Sequence, residues 1–261
     1  MMEDITVKLT EQCKIVAKAC TEIGTRTYQQ DCFKIVEGTV GTMAVVCDGM
    51  GGLQGGEIAS EKAVEEITKA FLNKDKIEDI PTFLLDEARK MDLIVFNLTD
   101  DDGNKLEAGT TVVAIIAVDD LLYWLSVGDS KIYIVRGSEM ICVTREHNYR
   151  LQLDKQLQSG IIDEEAYYDG EKQWEALTSY LGMNGLAMLD LTQVPFQMQQ
   201  GDRVVLCSDG VYKVLSDEIL IKILTENPID SQEAANAVVN AVLQSGKKNL
   251  DNTTIIVGRY E

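Results

Sequence analysis

Val45-Val46-Cys47-Asp48-Gly49-Met50-Gly51-Gly52 constrains the fold more than any other stretch of the chain. Its apolar, β-branched run reads as a buried strand, and that strand drives into an aspartate followed by three glycines. Glycine has no Cβ, so the backbone there can turn tightly and come close to a ligand. Alone, an Asp-Gly turn is ordinary loop punctuation and implies no function. The same grammar recurs at Leu125-Ser126-Val127-Gly128-Asp129 and at Val204-Val205-Leu206-Cys207-Ser208-Asp209. Repetition is what raises the signal.

The rest of the chain fills in around these strands. Strands are predicted over 14–21, 32–36 and 42–47, then helical spacing over 57–72 and 81–96, with Pro81 at the start of the second helix. Runs at 111–118, 121–127, 131–135 and 140–143, joined by short turns, predict an antiparallel meander. Segment 146–185 is irregular and acidic and reads as a helical insertion packed on the body, because no Pro/Gly/Ser linker bounds it. A strand at 203–207, helices at 216–226 and 231–245 with Ser216 and Ser231 as N-caps, and a strand at 253–257 close the chain. Strands in two blocks, with helices between and after them, lack the rhythm of parallel βαβ units. The predicted class is α+β, with two antiparallel sheets packed together and helices outside, in a single domain over 1–261.

Composition narrows the function. Lys+Arg minus Asp+Glu is 24 − 43 = −19 over 261 residues, a charge that repels nucleic acid and anionic membranes at long range. The six cysteines (Cys13, Cys20, Cys32, Cys47, Cys142 and Cys207) form no Cys-x-x-Cys pair and sit mostly in apolar runs. They read as reduced, buried thiols of a cytosolic protein, not as a disulfide frame or zinc site. With no apolar leader and no run long enough to span a bilayer, the expected location is cytoplasmic.

Asp48, Asp129, Asp209 and Asp251 all stand at strand ends or turns, and Asp31 precedes another strand close to Arg26. Carboxylates with carbonyls and water are the ligand set of Mg²⁺ and Mn²⁺, and carboxylates gathered in one cleft repel unless cations neutralise them. Two such cations can share and activate a water, and an arginine beside them can grip phosphate through its fork of donors. The loop 99–104 fails the spacing of a calcium-binding hand, since Leu98 and Gly109 would fall at its first and last ligand positions.

Arg26-Thr27-Tyr28-Gln29-Gln30-Asp31, Asp48-Gly49-Met50-Gly51-Gly52, Gly109-Thr110-Thr111, Gly128-Asp129-Ser130-Lys131-Ile132-Tyr133, Ser208-Asp209-Gly210 and Asp251-Asn252-Thr253-Thr254 occur in that order. In this the chain resembles the PPM/PP2C family of metal-dependent protein phosphatases across its whole length, most of all the compact bacterial members with methionine in the Asp-Gly-x-Gly-Gly turn. The resemblance implies a four-layer α-β-β-α sandwich. It implies a serine/threonine phosphatase in which a metal-bridging hydroxide attacks phosphorus directly. Asp48 would bridge two Mn²⁺ or Mg²⁺ ions, with the Gly49 carbonyl on one and Asp209 and Asp251 on the other. Asp31 would act through metal-bound water, Asp129 would help Asp209 hold a third ion, and Arg26 would bind the substrate phosphate. Segment 146–185 would be the flap beside the site, and the partners would be phosphoproteins made by a Ser/Thr kinase. Two departures stand out. Gln29-Gln30 replaces an Asn-Glu or Asn-Gln pair, and Met50 stands where eukaryotic relatives carry a histidine proposed as the general acid. His147, the only histidine, reads as a structural residue of the flap.

Two rival readings are weaker. Cys20-x5-Arg26 has the spacing of cysteine-dependent phosphatases, but Glu22 would put a negative charge in the phosphate cradle and no helix begins at Arg26. A catalytically weak phosphatase-like scaffold that only binds phosphoproteins would typically have lost metal aspartates, and Asp48, Asp209 and Asp251 are all present.

Overall fold

The computed structural model describes residues 15–51, 55–226 and 230–261. Among the described residues two antiparallel sheets lie face to face. One runs in the order β1 (Ile15–Glu22), β12 (Thr253–Tyr260), β11 (Arg203–Cys207), β7 (Lys131–Arg136) and β8 (Glu139–Cys142). The other runs β10 (Phe196–Gln197), β6 (Leu121–Val127), β5 (Val112–Val118), β3 (Gly41–Gly51) and β2 (Asp31–Gly38). Two short strands join its flanks, β4 (Ala108–Thr110) on β3 and β9 (Asp190–Leu191) on β6.

Side-chain alternation explains why these strands read as continuous apolar runs. On β3, Met43, Val45 and Cys47 face the helices α1 (Gly55–Leu72) and α2 (Ile80–Phe96), while Ala44 and Val46 face the opposite sheet. On β11, Val205 and Cys207 pack under α6 (Asp217–Glu226) and α7 (Ser231–Leu243), while Val204 and Leu206 meet the other sheet. A strand covered on both faces has no solvent side on which to place polar residues. The stack is therefore helix, sheet, sheet, helix, the four-layer arrangement expected. No helix among the described residues is long and apolar enough to cross a membrane.

Several expectations need correction. The run at 42–47 does not end in a glycine turn: β3 continues through Asp48 to Gly51, exchanging β5 for β4 as its partner. The glycines serve close approach instead, since a Cβ on Gly49 would lie 2.0 Å from the Gly56 carbonyl oxygen. The runs at 111–143 do not form one meander either. β5 and β6 belong to one sheet and β7 and β8 to the other, so the chain crosses between sheets at Gly128-Asp129-Ser130. The N-cap of α7 is Asp230, whose carboxylate accepts from the N–H groups of Gln232 and Glu233. Ser231 Oγ is committed elsewhere, donating to the Val16 carbonyl. Lys14, Cys13 and Gly52 lie outside the described residues. Segment 146–185 holds α3 (Tyr149–Gln158), α4 (Glu164–Asp169) and a 3-10 turn at Glu171–Gln173.

Candidate active site

Side chains between the sheets are apolar until the strands reach one end of the stack, where each series turns polar. On β3 the series Ala44, Val46 continues to Asp48, and on β2 the series Ile35, Phe33 continues to Asp31. The β2–β3 register pairs Asp31 directly with Asp48. On the facing sheet Val204 and Leu206 lead to Ser208, and Ile256 leads to Thr254. Ser208 Oγ donates to Asp31 Oδ2 at 2.7 Å and accepts from the Thr254 N–H at 3.0 Å, tying the two sheets at this mouth. A period of two along each strand thus converges polar groups on one end of the sandwich.

Three turns bring the remaining candidates to the same place. Asp129 lies on the crossing between sheets, where Gly128 has φ +105° and a Cβ would meet Thr111 Cγ2 at 2.6 Å. Asp209 opens α5 (Asp209–Tyr212), and a Cβ on Gly210 would lie 2.1 Å from the Asn252 carbonyl oxygen, so that turn is pressed against the Asp251–Asn252 turn. Asn252 in turn fixes the loop bearing Arg26. Its Oδ1 accepts from the Gln30 N–H at 2.8 Å, and its Nδ2 donates to the carbonyls of Ile23 and Tyr28.

Arg26, Asp48, Gly49, Met50, Asp129, Asp209 and Asp251 all open onto one cavity of about 380 Å³. Asp31 lies behind its wall, 8% exposed. Burial, then the charges of Asp31, Asp209, Asp129 and Asp251, pushes the Asp48 carboxyl well above the usual range. Burial also lifts Asp31 to about 7, against hydrogen bonds from Ser208 and Thr254 and with help from Asp209 and Asp251. Asp129 is raised by burial and by Asp209. So many carboxylates held this close are unfavourable in the absence of compensating positive charge.

The chain supplies part of that charge itself. Arg26 Nη2 lies 2.5 Å from Asp251 Oδ2. Lys213 Nζ lies 2.7 Å from Asp209 Oδ2 and 3.6 Å from Asp129 Oδ2. Burial works against the Lys213 charge, but Asp209, Asp129 and Glu175 outweigh it and raise its pKa. These ion pairs turn carboxylates toward side-chain cations, and no three acidic, His or Cys side chains among the described residues converge on one metal-sized point. The donor set nevertheless fits a hard divalent cation. It is all oxygen, it is crowded and acidic, and Asp31 Oδ1 and Asp209 Oδ1 are buried with no hydrogen-bond partner.

Other residues support the site without having been singled out for it in the sequence. Lys213 follows Asp209 at a spacing of four, the one trace that could have linked them. Gln29 Oε1 accepts from the Asp31 N–H and Gln29 Nε2 donates to Thr21 Oγ1, which shows what the Gln29-Gln30 departure does. His147 is fully buried. Its Nδ1 accepts from the Gly128 N–H, its own N–H donates to the Gly128 carbonyl, and Nε2 faces Asp190 Oδ2 at 3.5 Å, so it braces the turn that carries Asp129. Cys20 sits mid-strand opposite Ile255, and burial followed by the Glu22 charge raises its thiol pKa. That is the opposite of an activated thiolate.

A family model described as Protein phosphatase 2C matches residues 21–252. The serine/threonine phosphatase stp of Listeria innocua is 29% identical over 223 residues, covering 83% of this chain and 84% of the relative. The solved structure of the S. agalactiae serine/threonine phosphatase is similar with a TM-score of 0.81 at 26% identity, covering 95% of this chain and 100% of that one. The catalytic domain of the serine threonine protein phosphatase PstP, solved in complex with 2 manganese ions, shares the fold at a TM-score of 0.73 and 23% identity, covering 95% of this chain and 99% of that one.

Proposed function

The chain belongs to the protein phosphatase 2C family, and from that premise we propose that it hydrolyses phosphoserine and phosphothreonine in proteins. The observation that carries this reading is the one cavity onto which Arg26 and four aspartates open. Asp48, the Gly49 carbonyl, Asp209 and Asp251 would hold two divalent cations, Mn²⁺ or Mg²⁺, with Asp129 beside Asp209 and Asp31 behind. Cations bound there would neutralise the carboxylate crowding and lower the pKa of water that attacks phosphorus.

The chain's own groups do the rest. Arg26, with its side chain 58% exposed, turns from Asp251 toward the cavity and orients the phosphate through its fork of donors. Asp31 Oδ1 is buried with no hydrogen-bond partner and would accept from water held by the cations. Met50 on the cavity wall has no proton to give, so the leaving oxygen is not protonated from that position. No thiol takes part: burial also raises Cys47 and Cys32 on the neighbouring strands, Cys32 to about 11.

We further propose that the chain works as one catalytic unit and that segment 146–185 acts as a flap influencing substrate choice. Glu175 and Leu177 of that segment line the cavity, which supports this. A cytoplasmic location and substrates phosphorylated by a Ser/Thr kinase complete the reading. The net charge of −19 and the five free cysteines among the described residues are in keeping with it. Phosphate release from matched phosphothreonine and phosphotyrosine peptides, with Mn²⁺ or with EDTA, tests the function. The reading predicts Mn²⁺-dependent turnover of the phosphothreonine peptide in preference to the phosphotyrosine one. Tight binding with no turnover at any Mn²⁺ or Mg²⁺ concentration would leave only a phosphoprotein-binding module.

A further inference from the structure

Lys213 stands one helical turn beyond Asp209, and its ammonium is shared by carboxylates from three parts of the chain. Nζ is 2.7 Å from Asp209 Oδ2, 3.6 Å from Asp129 Oδ2 and 3.6 Å from Glu175 Oε2. The side chain is 35% exposed, so it lies at the cavity edge and is not free in solvent. Its backbone is fixed as well, the N–H donating to the Asp209 carbonyl at 3.0 Å. Asp129 and Asp209 are the two residues that the family resemblance assigns to a third, looser cation. In this chain an ammonium already sits on their Oδ2 atoms.

We propose that Lys213 is the resident cation on the Asp129–Asp209 side of the cluster and takes the place of a third divalent ion there. The proposal rests on the reading of the cluster as a divalent-cation centre. Its physical basis is direct. One positive charge already offsets part of the Asp129 and Asp209 charge, and a dication brought to the same oxygens meets a like charge at contact distance. Asp48 and Asp251 make no ion pair with this ammonium, and Asp209 keeps its unpartnered Oδ1 for the ion it would share with Asp251, so the two core ions are not displaced. Through Glu175 the same ammonium also joins the 146–185 segment to the edge of the cluster, a link that a divalent ion held only by Asp129 and Asp209 would not make.

Mn²⁺ stoichiometry of the full chain, from equilibrium dialysis with metal analysis, tests the proposal. Wild type, Lys213→Met and Lys213→Arg are compared, with circular dichroism confirming the fold; Lys213→Gln replaces the Met variant if that one does not fold. The expected result is saturation at two ions for wild type and Lys213→Arg. Lys213→Met gains one more, bound at least about tenfold more tightly than any third ion in wild type. Three ions of equal affinity in wild type and Lys213→Met, or two in both, would overturn the role of Lys213 and leave the metal centre standing. No bound Mn²⁺ in any of the proteins would remove the metal centre and this proposal together.

Discussion

Asp31 and Asp48 face each other across the β2–β3 pair, and burial favours the protonated form of both. Asp31 rises from an ordinary 3.8 to about 7 in the folded chain. The folded state therefore holds this proton more tightly than the unfolded state does. Its stabilising effect is fully present below about pH 4 and is lost as pH rises through about 7. Urea denaturation in EDTA should show wild type losing roughly 2–4 kcal/mol relative to Asp31→Asn between those pH values. A constant difference across the range would mean that Asp31 is not raised. The aspartates are legible in the sequence because Asp48, Asp129 and Asp209 follow apolar runs, while Asp31 and Asp251 stand just before strands. Lys213 was not, because a lysine on a short helix reads as a solvated side chain until the fold brings Asp129 and Glu175 to it.

At the scale of elements, the strands were legible and their partners were not. The run 111–143 alternates strand and turn in the same way whether it forms one meander or divides between sheets, because local spacing carries no information about which sheet a strand joins. The division matters, since the crossing at Gly128 is what places Asp129 at the mouth. With φ +105° and Thr111 against its face, Gly128→Ala should cost about 1–3 kcal/mol in urea denaturation and weaken Mn²⁺ binding. Wild-type stability in that variant would show that the crossing does not depend on glycine. The short elements β4, β9, β10 and α5 span two to four residues and were missed because so few residues display no period. The cap of α7 was misplaced by one residue, since Asp230 and Ser231 are both good caps and only the Val16 carbonyl decides which is free to serve.

At the scale of the molecule, two sheets buried on both faces leave only their ends for polar chemistry, and the chain places its aspartates at one end. Each carboxylate arrives on a different turn or strand, so no local window contains the site and only the order of the motifs announces it. The central claim is that this end is a divalent-cation centre that hydrolyses phosphate esters, with Asp48 at its middle. The most direct measurement is the rate of phosphate release from a phosphothreonine peptide as Mn²⁺ is titrated into wild type and Asp48→Ala. The account predicts a rate that rises with Mn²⁺ and vanishes in EDTA for wild type, and one lower by about 10²-fold or more at saturating Mn²⁺ for Asp48→Ala. Equal rates in the two proteins, or a wild-type rate indifferent to EDTA, would contradict it.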